Sequence, residues 1–180
     1  MLIEIEDNLY LETIKIIDAV EVFEVVDSSR DSLRKWLPWV DLTKTSKDIA
    51  NYFQTCIDRE KANNGFELTI NYNNKIVGGI GLHKIDHMNK ATSIGYWLSS
   101  KNEGQGLMTK SAKALCNYCF NELELNRIEI ACATDNLKSQ NITKRLGFKL
   151  EGTLRQKEIV NGEYLDHYLF SLLKNENSHL

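Results

Sequence analysis

The sequence has one proline, Pro38, and its 22 lysines and arginines are outnumbered by 25 aspartates and glutamates, a net charge of −3. Tight nonspecific binding to nucleic acid or to an anionic membrane needs a surplus of basic residues, so neither partner is expected. No apolar run approaches the roughly 18 residues of a membrane-spanning helix. The opening Met1-Leu2-Ile3-Glu4-Ile5-Glu6-Asp7 lacks the basic start and apolar core of a secretion signal. The four cysteines, Cys56, Cys116, Cys119 and Cys132, are therefore expected as reduced thiols in a cytoplasm. No His-Glu-x-x-His is present and Cys116-x-x-Cys119 has no second ligand pair, so no metal is expected. There is no Gly/Ser-rich linker and no internal repeat, which predicts a single domain over residues 1–180.

Hydrophobic residues make up 42% and charged residues 26% of the 180, the balance of a folded globular chain. Its length lets it bury roughly 70% of its unfolded surface. The hydrophobic period changes along it. Leu9–Ile14 reads as a strand. A helix from Asp18 toward Leu37, broken near Ser28-Ser29, and another over Ser46–Ala62, capped by Ser46, follow from apolar residues three and four apart. Phe66–Tyr72 and Lys75–Lys84 read as strands joined by Asn73-Asn74, and Ala91–Ser99 as a third. Leu107–Leu123 is helical, Arg127–Ala133 a strand, and Asn136–Leu146 a helix ended by Gly147. Lys149–Val160 and Glu163–Leu173 form a hairpin about Asn161-Gly162. The order predicts an α/β fold with a mixed sheet.

Chemistry concentrates where Ala91–Ser99 gives way to Lys101-Asn102-Glu103-Gly104-Gln105-Gly106 and a helix starts at once. The free N–H groups of a first helical turn bind phosphate, and glycines let it approach. A tight strand-to-helix turn explains the two glycines equally. No Gly-x-x-x-x-Gly-Lys-[Ser/Thr] is present. A dinucleotide fingerprint wants a third glycine where Thr109 stands, and a place early in a repeated β-α-β sheet rather than after an antiparallel meander.

Lys101-x-x-Gly104-x-Gly106 resembles the acyl-CoA pyrophosphate loop of the GNAT N-acetyltransferases, [Gln/Arg]-x-x-Gly-x-[Gly/Ala], with Lys101 in place of Gln or Arg. Downstream, Asn136 through Gly147-Phe148 is similar to that family's second-motif helix. Trp36-Leu37-Pro38-Trp39, Ile94-Gly95-Tyr96-Trp97-Leu98, Arg145-Leu146-Gly147-Phe148 and Glu151-Gly152 resemble the RimL/RimJ branch, which contains acetyltransferases of ribosomal-protein N-termini. The resemblance covers roughly Leu9 to Leu173. It implies a GNAT fold, mostly antiparallel with one splayed parallel strand pair, and acetyl-CoA as co-substrate.

The resemblance also implies roles. Ala91–Ser99 and Arg127–Ala133 would part around the pantetheine arm, bonded to main chain at Tyr96, Trp97 and Leu98. Gly104, Gln105, Gly106, Leu107 and Met108 would hold the pyrophosphate. Asn136 would touch the pantetheine, and Lys144 the nucleotide end unless it belongs to a solvated helix face. Thr143 stands where many members have a tyrosine as thiolate acid. Ser139, one turn into the helix, takes that role in the RimL branch, although it could serve only as a helix-start residue bonding to backbone. Glu158 matches the branch's base, with an ordinary strand carboxylate as the other reading and Glu67 and Glu103 as less favoured substitutes.

The cysteines, Cys119 on the apolar face with Met108, Ala112 and Leu115, read as packing residues. His83, His87, His167 and His179 read as surface or packing residues. Trp36 and Trp39 would wall an acceptor groove or anchor the N-terminal helices. Arg30, Arg34 and Lys35 would receive an acidic peptide or simply face solvent. An α-amine, with a pKa of roughly 8, becomes neutral at about 3 kcal/mol less cost than a lysine near 10.4. One carboxylate with a water chain therefore suits a protein N-terminus, ribosomal by the resemblance. A small-amine N-acetyltransferase and a non-catalytic acyl-CoA module are the alternatives, and a homodimer is a family-level expectation.

Overall fold

The computed structural model describes residues 1–179, with side chains described through Asn177. The side chain of His179 lies outside the described residues. In chain order the elements are β1 (Leu2–Glu6), β2 (Leu9–Thr13), α1 (Ala19–Ser28), α2 (Arg30–Leu33), α3 (Trp39–Leu42) and α4 (Ser46–Lys61). They continue as β3 (Phe66–Tyr72), β4 (Lys75–Leu82), β5 (Ala91–Leu98), α5 (Leu107–Asn121), β6 (Arg127–Ala133), α6 (Leu137–Arg145), β7 (Lys149–Val160) and β8 (Glu163–Leu173).

The strands form one eight-stranded sheet in the order β1-β2-β3-β4-β5-β6-β8-β7. Among the described residues only β5 and β6 pair parallel. Phe66, Leu68 and Ile70 of β3 pack with Leu115, Cys116 and Phe120 of α5 in one core. A second core joins Val22 and Val26 of α1 to Ile49, Phe53 and Cys56 of α4. Alternation along β3 thus sends even-numbered residues under α5 and turns Glu67 and Thr69 toward α4.

The asparagine turns form as the sequence predicts: Asn73 and Asn74 have φ of 52° and 59°, and Asn161-Gly162 has 53° and 83°. These are the left-handed conformations that close two-residue hairpins with the sheet's twist. Three expectations change. Leu2–Glu6, read only for its acidity, is an edge strand paired with β2. Thr45, not Ser46, caps α4, in a reciprocal box with Asp48. The helix toward Leu37 ends at Ser28, and the chain continues as the short α2 and α3, with Pro38 at the start of α3.

Candidate active site

β5 and β6 pair only at Ala91–Arg127, Thr92–Ile128 and Ser93–Glu129. Beyond Ser93, β5 stays bonded to β4 as far as Leu98, and β6 to β8 as far as Ala133. The two strands therefore part, and main-chain groups along Gly95–Leu98 and Ile130–Ala133 face a gap. Backbone donors and acceptors at such an edge seek a partner, and an extended ligand with amide groups supplies one. A cleft of about 1790 Å³ runs through this gap. Ligand pockets commonly occupy about 300–1,000 Å³, so there is room for a long cofactor arm and a second substrate.

The loop after β5 is shaped for an anion. Gly104 and Gly106 both have φ of +77°, and a Cβ at either would meet nothing within 4 Å among the described residues. The conformation demands glycine, and the empty space leaves the backbone approachable. Gly106 is the N-cap of α5, which has no acidic residue in its first turn. The N–H groups of its opening turn and the positive end of its dipole are free for a phosphate. An ion pair between Lys138 of α6 and Glu103 ties this loop to the next helix.

α6 presents Ser139 from the other side. Its cap residue Asn136 accepts a hydrogen bond from the Ser139 backbone N–H at 3.2 Å. The Ser139 Oγ is not occupied by backbone: it lies 2.8 Å from the phenol oxygen of Tyr96, across 43 residues of sequence. Burial pushes the Tyr96 hydroxyl well above its ordinary range, so it remains a proton carrier at neutral pH. Thr143 is fully buried and donates to the Gln140 carbonyl, which removes it from the chemistry. The sequence offers a phenol beside Ser139 after all, but on the facing strand.

Glu158 reaches the cleft through a distortion of β7. Leu154 pairs with His167 and Glu158 with Leu165, so three residues, 155–157, stand opposite Asp166 alone. Gln156 in that bulge has φ of 52°, held by a 2.7 Å bond from its N–H to Asp166 Oδ1. Bulges re-aim side chains, and a left-handed non-glycine residue persists only where its surroundings hold it. Burial raises the Glu158 carboxyl above its usual range, and burial also lowers the His167 imidazole. His167 Nε2 is 3.6 Å from Glu158 Oε2 and has no hydrogen-bond partner among the described residues.

The cleft brings together Tyr96, Trp97, Leu98, Gly104, Gly106, Leu107, Met108, Asn136, Ser139 and Glu158, together with Trp36 and Trp39. Trp39 meets Trp97 edge-on at 6.1 Å while also packing on the second core, so it both walls the cleft and anchors the helices. Gln105 and Lys144 do not line the cleft; Arg145, beside Lys144, does. Arg30 and Arg34 are taken up by α3 and its ends: Arg30 donates to the Thr43 carbonyl at 2.8 Å, and Arg34 pairs with Asp41 at 2.9 Å. Of that basic trio, only Lys35 lines the cleft. Sequence reasoning missed His83 and His167 as cleft residues. It also missed the Tyr96 phenol, whose only signal was a polar ring on a strand at the gap.

Residues 8–149 match the acetyltransferase (GNAT) domain. The chain is 34% identical to a putative ribosomal N-acetyltransferase, YdaF, of Bacillus subtilis, over 96% of this chain and 95% of the relative. It is 27% identical to the ribosomal-protein-serine acetyltransferase of Escherichia coli, over 94% of each chain. A solved structure of RimL, a ribosomal L7/L12 α-N-protein acetyltransferase in complex with coenzyme A, superposes with a TM-score of 0.94 at 26% identity, covering 98% of this chain and 99% of that one. The glycine cradle, the parted parallel strands and the match over residues 8–149 agree: the chain belongs to the GNAT family of acetyl-CoA-dependent N-acetyltransferases.

Proposed function

We propose that this protein transfers acetyl from acetyl-CoA to the N-terminal α-amine of a protein, of the ribosomal-protein kind, with Glu158 as base and Ser139 as acid. The observation that carries the reading is one continuous cleft with the Ser139–Tyr96 hydroxyl pair on one wall of the strand gap and Glu158, aimed by its bulge, on another. The ribosomal-protein acetyltransferases among the full-length relatives support the choice of acceptor.

The residues present fit the co-substrate. The N–H groups of Gly106, Leu107 and Met108 would hold the pyrophosphate, and the β5 edge at Tyr96–Leu98 the pantetheine amides. Acetyl-CoA supplies an activated acyl group as its thioester. Glu158, directly or through a water, takes a proton from the attacking nitrogen. Ser139 Oγ donates a proton toward the departing sulfur and recovers one through the Tyr96 hydroxyl, which is reprotonated from water in the cleft, while Glu158 gives the proton it took back to water.

Thiol release with peptides that begin with Ser or Ala, compared with spermidine, tests the acceptor. Peptides are expected to turn over at least tenfold more efficiently in kcat/KM, and preference for spermidine overturns the α-amine reading. In the same assay Ser139→Ala lowers kcat about a hundredfold, the low end for a general acid, because the Tyr96 hydroxyl keeps one donor near the sulfur. Unchanged kcat would remove Ser139 from the mechanism.

A further inference from the structure

On the α4 face of the sheet, three polar side chains lie across glycines of a neighbouring strand. A Cβ at Gly79, Gly81 or Gly95 would fall inside 3.0 Å of Trp97 Nε1, Glu67 Oε2 or His83 Nε2 respectively. Strand register sets this up: Glu67 is opposite Gly81, Gly81 opposite Gly95, and Gly79 opposite Trp97. The absent side chains make a low floor beside the strand gap, and the three polar groups stand on it as part of the cleft wall.

Glu67 is the best defined of the three. The Tyr52 hydroxyl and the Arg59 guanidinium each donate to its Oε1 at 3.1 Å. Its Oε2, over Gly81, receives no hydrogen bond among the described residues, although the side chain is only 15% exposed. A carboxylate pinned by one oxygen and open at the other, in a cleft wall, is equipped to accept a further donor. Gly95, one strand from Gly81, is two residues past Ser93, where β5 and β6 cease to pair. The Glu67 carboxylate therefore stands over β4, one strand in from β5 and the gap, with the His83 imidazole over Gly95 beside it. Glu158 comes from β7, beyond β6 and β8 on the far side of that gap.

We propose that Glu67 Oε2 binds the acceptor's amino group as it arrives as an ammonium ion, making Glu67 a substrate-binding residue across the gap from Glu158. The two carboxylates divide the work: Glu67 captures and orients the ammonium ion, and Glu158 takes a proton from it, which frees the lone pair with which nitrogen attacks. Burial pushes the Glu67 carboxyl up to about 7 in spite of the Arg59 guanidinium and the Tyr52 hydroxyl, and an arriving ammonium ion favours its charged form. The inference rests on the amine-acetylation reading above but not on the amine being a protein N-terminus.

The test is calorimetric binding of the turned-over acceptor to the full chain saturated with CoA, where no chemistry occurs. Glu67→Gln keeps the shape and the Oε1 bonds. It is expected to weaken acceptor binding about tenfold, the scale of one hydrogen bond to a charged group, with CoA affinity unchanged. A des-amino acceptor should bind wild type and Glu67→Gln equally, which a general loss of structure would not produce. Glu67→Asp, which retains charge on a shorter arm, should recover part of the loss. An acceptor Kd within twofold of wild type in Glu67→Gln, or equal losses for the amine and des-amino acceptors, overturns the proposal. Turnover of spermidine in place of peptides would sink only the α-amine reading, and the same comparison would then be made with spermidine.

Discussion

Glu158→Gln is expected to lower kcat for peptide acetylation at pH 7 by about 10²–10⁴, the range of general-base contributions. Glutamine preserves the side-chain volume beside the β7 bulge, and the Gln156–Asp166 bond that holds the bulge does not involve Glu158. CoA affinity should therefore be unchanged. Wild-type rate falls as pH falls through the Glu158 ionisation, because the base must be deprotonated. Burial raises that ionisation, so the acid limb lies above the ordinary carboxylate range. In the variant only the amine's own ionisation, with a pKa of roughly 8, controls the rate. Its rate should climb about tenfold per pH unit toward 8, and the deficit against wild type should shrink as solvent does the base's work. Parallel kcat–pH profiles from 6 to 9 check this. A variant within threefold of wild type at every pH would transfer the base role elsewhere, with Glu67, which also lines the cleft, the first carboxylate to test.

The proposed machinery was unevenly legible in the amino-acid order. Elements bounded by turn chemistry could be read directly: Asn73-Asn74 and Asn161-Gly162 took the positive φ that their side chains tolerate, and Gly147, with φ of 75°, ended α6. Strand β1 was missed because its alternation is short and one face stays half exposed at the sheet edge. The splay was available only through family resemblance, since nothing in the composition of β5 says that pairing stops after Ser93. The Tyr96–Ser139 contact and the bulge that aims Glu158 are tertiary facts, fixed by packing between residues far apart in sequence. One local signal was present and unread. Gly79, Gly81 and Gly95 fall on one face of two strands by period-two spacing, and glycine within a strand marks a close approach by other groups.

Gly106→Val should weaken CoA binding by about a hundredfold or more while leaving the protein folded. At φ of +77° a β-branched residue is strained, at a cost of about 1–3 kcal/mol. The empty protein can release that strain by letting the loop relax, because a Cβ there meets no described atom within 4 Å. α5 itself is held by Leu115, Cys116 and Phe120, all fully buried, so its position does not depend on the cap. The strain is therefore incurred on binding, when the N–H groups must return to the phosphate. Any phosphate hydrogen bond lost in the relaxed loop adds about 1.5–3 kcal/mol. Together these reach the roughly 2.7 kcal/mol that corresponds to a hundredfold in Kd. Gly106→Ala, with less steric demand at the same φ, should lose a smaller factor, about tenfold. Calorimetry of CoA binding with the melting temperature of the free protein separates the effects: affinity falls in the order Gly, Ala, Val while the unliganded Tm moves by only a few degrees. Wild-type affinity in Gly106→Val would mean that the pyrophosphate is held somewhere other than the start of α5, and the roles assigned around the strand gap would lose their anchor.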